Sequence, residues 1–137
     1  MPVTSLRARA MGTDGEMSLR LLVVIPEDES AVERELAATH SPALRVVGRA
    51  CTESQALQSY FRCAPDVVVL DCRVAPAEPA RLVGLLKRVA PGSCIVALVQ
   101  AEDSVAASAA RALGADAIGL LAELPVLLGR LSAADAV

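Results

Sequence analysis

Five short apolar segments recur along the chain at intervals of roughly 20 to 28 residues. They cover residues 21–25, 44–47, 67–70, 95–99 and 117–121. Each segment is continuous rather than alternating, which is typical of a β-strand buried on both faces. The pattern therefore predicts five short strands inside a sheet that is covered on both sides.

Helical patterns separate these segments. We predict helices over residues 30–39, 52–63, 79–89, 105–113 and 125–131. The second begins with Thr52 and Gln55 in the spacing of a capping box, and the third has Pro79 in its first turn. Asp103 or Ser104 can cap the fourth, which Gly114 ends in the left-handed conformation.

The alternation of strands and helices defines the fold class. Right-handed crossovers between successive strands require a parallel sheet with helices on both faces. Five strands in this alternation favour the order 2-1-3-4-5, the flavodoxin-like, doubly wound α/β arrangement. We expect a flexible extension over residues 1–18, one domain over 19–131, and a tail or the start of a linker over 132–137.

Composition narrows the class of protein further. The chain is 54% hydrophobic but has only one Tyr, one Phe and no Trp, so its core is built from aliphatic residues. The net charge of −3 is spread along the chain, and this excludes a basic nucleic-acid-binding patch. No apolar run approaches the ~20 residues of a membrane span. The four cysteines lack metal-ligand spacing, so we expect free thiols and a cytoplasmic protein without a metal or cofactor.

One carboxylate lies at the position where such a sheet binds its ligands. Asp71 directly follows the third strand, where it either caps the strand end or accepts a phosphoryl group. Residues 67–71 look like the phosphoacceptor strand of the receiver domains of bacterial response regulators. Residues 45–50 are similar to the second strand of receivers that precede helix-turn-helix domains, and 114–117 resemble their Gly-Ala-Asp turn. The resemblance to this CheY-like family covers residues 19–131.

The resemblance also shows what the chain lacks. The family holds Mg²⁺ with an acidic pair after the first strand, and contacts the phosphoryl group through a hydroxyl and a lysine. Those positions fall here on Ile25 and Pro26, on Val99, and on Leu121. We therefore predict a pseudo-receiver, in which Asp71 is a vestigial phosphoacceptor with no counter-charge beside it.

Three alternatives remain open. Glu27 and Asp28 could supply the missing acids and hold Mg²⁺ with Asp71 if the loop rearranges, although Asp28 also suits a helix cap. Asp71 would then be a genuine phosphoacceptor for a histidine kinase. Alternatively, the apolar crevice binds a small ligand. An enzyme is not expected, since no Ser/His/Asp set is visible and His40, the only histidine, lies away from the crevice.

Receivers signal through the surface of their fourth helix, fifth strand and fifth helix. Residues 104–129 contain few charges, which suggests an interface with a protein partner or a second copy. We assign this interface to Ala109, Ala110, Leu127 and Leu128. The chain is thus either a stand-alone module or the receiver part of a larger regulator, such as a transcription factor.

Overall fold

The computed structural model describes residues 19–26, 34, 44–74 and 80–136. The strands are β1 (Leu19–Val24), β2 (Leu44–Ala50), β3 (Val67–Asp71), β4 (Cys94–Leu98) and β5 (Ala117–Gly119). The helices are α1 (Glu53–Cys63), α2 (Arg81–Val89), α3 (Val105–Leu113) and α4 (Leu124–Ala136). Two short 3₁₀ turns, Cys72–Val74 and Leu121–Glu123, follow β3 and β5.

The five strands form one parallel sheet in the order β2-β1-β3-β4-β5, which confirms the predicted topology. β3 lies at the centre and pairs in continuous register with β1 and β4. Its partners begin at Leu21 opposite Val67 and end at Leu98 opposite Asp71. A register shift between Leu21 and Leu22 interrupts the pairing with β2.

Two apolar cores lie on opposite faces of the sheet, because alternate residues of each strand point to opposite sides. One core joins Leu22, Val68 and Ile95 to side chains of α2 and α3. The other joins Leu21, Val69 and Val96 to Leu124 and Leu128 of α4. Within the described ranges, α2 and α3 therefore cover one face and α4 covers the other.

Local capping follows the predicted chemistry. The Thr52 hydroxyl accepts a hydrogen bond from the backbone N–H of Gln55, and the Gln55 side chain accepts one from the N–H of Cys51. Ser104 caps α3 by accepting from the N–H of Ala107. Gly114 ends α3 with φ of 105°, in the left-handed region that glycine adopts without a steric penalty.

Some boundaries differ from those predicted. β5 ends at Gly119, so Leu121 lies in a 3₁₀ turn instead of a strand. α4 continues to Ala136, past the predicted end at residue 131, because no glycine or proline follows to stop it. The helix predicted over 30–39 and the proposed helix start at Pro79 lie outside the described residues, except for Arg34, which is helical. In the part of the chain that is described, no helix has the length and apolar character to cross a membrane.

Candidate functional site

Asp71 is the last residue of the central strand, at the edge of the sheet where all five strands end. Only 4% of the residue is exposed. A carboxylate buried this deeply needs a hydrogen-bonding or charged partner, since an unpaired buried charge is costly. The position matches the prediction, and the partner decides what the carboxylate can do.

That partner is Arg73, two residues along the chain. Oδ1 of Asp71 accepts hydrogen bonds from the backbone N–H of Arg73 at 2.9 Å and from its Nε at 3.1 Å. Oδ2 accepts from Nη2 at 2.6 Å and more weakly from Nε at 3.2 Å. The 3₁₀ turn Cys72–Val74 brings this guanidinium back over the carboxylate. Both oxygens of Asp71 are therefore bound by one arginine.

This pair corrects the expectation that Asp71 has no counter-charge. Arginine stays protonated at any physiological pH, and its planar fork matches a carboxylate in a two-point contact. The Arg73 side chain is 41% exposed, so solvent weakens the pair, whereas the Asp71 side chain is only 6% exposed. The sequence contains a signal for this contact, an arginine two positions after the aspartate, which our sequence analysis missed.

The positions expected to be polar in a working receiver are apolar in space as well as in sequence. Ile25 is buried, and its backbone N–H extends the β1–β2 ladder by donating to Ala50 at 3.0 Å. Val99 is buried beyond the end of β4, and Leu121 is half-buried after β5. Neither Val99 nor Leu121 has a side-chain donor for a phosphoryl oxygen.

A cleft of about 370 Å³ opens beside Asp71. Val99, Gln100 and Leu121 line it together with Asp71 and Arg73. The structure therefore brings the vestigial acceptor, the hydroxyl position and the lysine position to one cleft. Ile25 and Pro26 do not line it.

The predicted metal alternative depends on a loop outside the described residues. Glu27 and Asp28 belong to that loop, so their distance from Asp71 is not defined. Among the residues that are described, no three His, Cys, Asp or Glu side chains come together as a metal site. The described residues thus offer one possible Mg²⁺ ligand, Asp71, and Arg73 already holds both of its oxygens.

Cys72 follows Asp71 and is buried with 3% exposure. Burial, and secondarily the negative charge of Asp71, raise the pKa of the Cys72 thiol from 9.0 to about 11. The neutral thiol is thus favoured at neutral pH, as predicted for a free cysteine without a metal. It behaves as a core side chain under the turn that carries Arg73.

The proposed interface residues separate into two groups. Ala110 and Leu128 are fully buried, each in one of the two cores, so neither can contact a partner. Ala109 and Leu127 are half-buried. The error arises because five alanines in α3 give no polar pattern from which its rotation could be read. The exposed apolar side chains on these helices are instead Val105, Leu113 and Val126.

The Gly-Ala-Asp turn has a structural role at the opposite edge of the sheet. Asp116 accepts hydrogen bonds from Lys87 Nζ at 2.7 Å and from the backbone N–H of Ile95 at 2.8 Å, and its own N–H donates to Ile95. Lys87 also donates to the carbonyl of Ser93. The turn therefore links α2, β4 and the start of β5.

This fold is the fold of response-regulator receiver domains. The chain superposes on the response regulator domain of Thermotoga maritima CheB with a TM-score of 0.68 and 22% identity, over 88% of this chain and 98% of that one. A LuxR-family response regulator from Aurantimonas sp. SI85-9A1 gives a TM-score of 0.73 and 19% identity, over 85% and 86% of the two chains.

A third similar structure is the signal receiver domain of the putative response regulator NarL from Mycobacterium tuberculosis. Its TM-score is 0.70 at 20% identity, and the match covers 89% of this chain and 100% of that one. No family model and no curated protein sequence matches the chain. Because the identities are low, the likeness to these structures establishes the CheY-like receiver fold, with relatives among LuxR-family and NarL receivers.

Proposed function

We propose that the chain is an atypical receiver, or pseudo-receiver, which acts in signal transduction by binding protein and without Mg²⁺-dependent phosphorylation of Asp71. The observation that carries this proposal is the pairing of both Asp71 oxygens with Arg73. We further propose that it is a cytoplasmic binding module that has no enzymatic activity and does not itself contact nucleic acid.

The chemistry of phosphoryl transfer explains why this contact matters. To attack phosphorus, one carboxylate oxygen must offer a lone pair, and a cationic donor on each oxygen lowers its nucleophilicity. The product would add about two negative charges at the same place. Val99 and Leu121 provide no donor or cation to stabilise the three phosphoryl oxygens during transfer.

Intact-mass measurement after incubation with acetyl phosphate and Mg²⁺ tests this proposal. We expect the wild-type protein to gain no phosphoryl group. Arg73→Ala and Asp71→Asn are the matched variants, and neither should gain one either, since Val99 and Leu121 remain in both. A stoichiometric phosphoryl adduct in the wild type that Asp71→Asn abolishes would contradict the proposal.

The main alternative is a genuine phosphoacceptor, and one observation favours it. Arg73 places a positive charge beside Asp71 in a cleft that is open to solvent, where it could offset the charge of an acyl phosphate. In that case the guanidinium would move from the carboxylate to the phosphoryl group. Arg73→Ala would then slow phosphorylation of the wild-type aspartate, whereas the pseudo-receiver has no phosphorylation to slow.

The cleft also supports a small-ligand alternative. Its volume of about 370 Å³ falls in the lower part of the range that small-molecule sites occupy, roughly 300 to 1,000 Å³. Val99, Leu120 and Leu121 give it an apolar wall opposite the polar pair. A ligand held there should be displaced by Leu121→Trp, which fills the cleft, and retained in the exposed control Ala122→Ser.

We propose that a protein partner or a second copy binds the surface formed by α3, β5 and α4. The support is apolar exposure, since Val105 is 85% and Val126 56% exposed. Such a module could act alone or as the receiver part of a larger transcription regulator. Sedimentation velocity of Val126→Arg, with Gln58→Arg on exposed α1 as a control, tests the homodimer version. A wild-type protein that stays monomeric at high concentration would leave only the partner version.

A further inference from the structure

A groove of about 500 Å³ runs between α2 and α3, on the face of the sheet away from α4. Its α2 wall includes Arg81, Gly84, Leu85 and Arg88, and its α3 wall is formed by Ala109 and Leu113. The groove is separate from the cleft beside Asp71, with which it shares no lining residue.

Small residues create the space. Gly84 lies opposite Leu113, and a Cβ added to Gly84 would stand only 3.2 Å from Cδ2 of that leucine. Ala109 closes the floor and packs against the core, whereas Leu113 remains 43% exposed. The floor is therefore apolar and accessible, and any larger residue at position 84 would narrow the groove.

The two helices are basic although the chain is acidic. Neither α2 nor α3 contains an Asp or Glu, while together they carry Arg81, Lys87, Arg88 and Arg111 in a chain of net charge −3. Asp116 compensates Lys87, and Glu53 lies 3.7 Å from Arg81. Arg88 is exposed at the rim of the groove. No acidic side chain lines the groove.

Arg81 and Arg88 are seven residues apart on α2, which places them about two helical turns, or roughly 10 Å, from each other. Between them the groove offers Leu85 and, across from it, Leu113. An apolar strip between two cations of this spacing complements a helix that carries acidic residues two turns apart and leucine-like residues between them.

We propose that this groove binds an acidic amphipathic helix of a partner protein. The partner's carboxylates would contact Arg81 and Arg88, and its apolar side chains would pack over Gly84 against Leu85 and Leu113. The apolar floor favours a peptide over a nucleic acid, whose contacts are mostly made to phosphates by several basic residues. The inference goes beyond the proposed function, because it holds whether or not Asp71 is phosphorylated.

A labelled peptide probe tests the groove in the full-length protein. The probe is a helix-forming peptide of about sixteen residues, with leucines at three- and four-residue spacing and two glutamates two turns apart. Fluorescence anisotropy should show saturable binding, and the same peptide with glutamine in place of glutamate should bind about tenfold more weakly. Arg88→Glu should weaken binding of the acidic probe at least about tenfold.

Arg111→Glu is the matched control, since it makes the same charge change on exposed α3 outside the groove. It should leave the affinity within about twofold of the wild type, with circular dichroism confirming the fold of both variants. No saturable binding of the acidic probe, or equal losses in the two variants, would overturn the proposal. So would competition by a duplex oligonucleotide that Arg88→Glu abolishes, or self-association of the chain that the same change abolishes.

Discussion

Two aspartates at opposite edges of the sheet show how similar chemistry can serve different ends. Asp71 ends β3 and is bound by Arg73, only two residues away. Asp116 precedes β5 and is bound by Lys87, 29 residues away, and by the backbone of β4. The first pair fixes a local turn, whereas the second joins three elements. The difference teaches that a carboxylate at the ligand-binding edge can be neutralised locally without becoming part of the framework of the fold.

The largest expected effect comes from the framework side. Asp116→Ala removes the acceptor of Lys87 and of the Ile95 N–H, and leaves a lysine that is only 17% exposed without its charge partner. We expect a loss of about 2–4 kcal/mol in the free energy of unfolding. Urea denaturation of the wild type and the variant measures it. Asp116→Asn, which can still accept from Ile95, should lose less, and a loss below that of Asp71→Ala would contradict the comparison.

The second expected effect is smaller and concerns the site. Asp71→Ala removes four hydrogen bonds, but all of them come from Arg73, whose side chain is partly exposed. We expect a loss of about 1 kcal/mol. Arg73→Ala should cost at least as much, since it leaves the nearly buried Asp71 without its side-chain partner. The double variant should be more stable than the sum of the two single changes implies.

The third effect is the smallest and concerns Cys72. Its pKa is raised from 9.0 to about 11, chiefly by burial and secondarily by the Asp71 charge. The folded state therefore holds this proton more tightly than the unfolded state. Its contribution to stability is complete below pH 9.0 and is lost as pH rises through about 11.

Asp71→Asn should remove only the second cause and lower the pKa of Cys72 slightly, to a value still above 9.0. The measurement is the rate of Cys72 alkylation against pH, followed by peptide mass spectrometry. An alkylation profile in the folded wild type that matches the urea-unfolded chain would show that burial does not control this thiol.

Sequence reasoning predicted the framework well because its signals are local. Continuous apolar runs identified the strands, and the Thr52–Gln55 box, Ser104 and Gly114 marked helix ends by chemistry that acts within a few residues. The parallel order then followed from the handedness of crossovers. The end of α4 was missed, since no residue there interrupts a helix.

The site was harder to predict because it depends on side-chain direction. Asp71 was identified at its strand end, but the return of Arg73 onto it required the 3₁₀ turn at Cys72–Val74. Ala109 and Ala110 were indistinguishable in sequence, and only packing against the sheet places Ala110 in the core. Rotation of a helix built from alanine is set by tertiary contacts, and the sequence pattern carries no record of it.

Binding of the phosphate mimic beryllofluoride with Mg²⁺ tests the central claim most directly, because it needs the same groups as phosphorylation but no kinase. Fluorine NMR reports the bound mimic, and the melting temperature reports stabilisation by a ligand that binds the folded state. The account predicts no bound fluorine signal and no rise in melting temperature, since Arg73 holds both oxygens of Asp71 and neither Val99 nor Leu121 can contact the mimic. A bound signal and a higher melting temperature in the wild type, both abolished by Asp71→Asn, would contradict it.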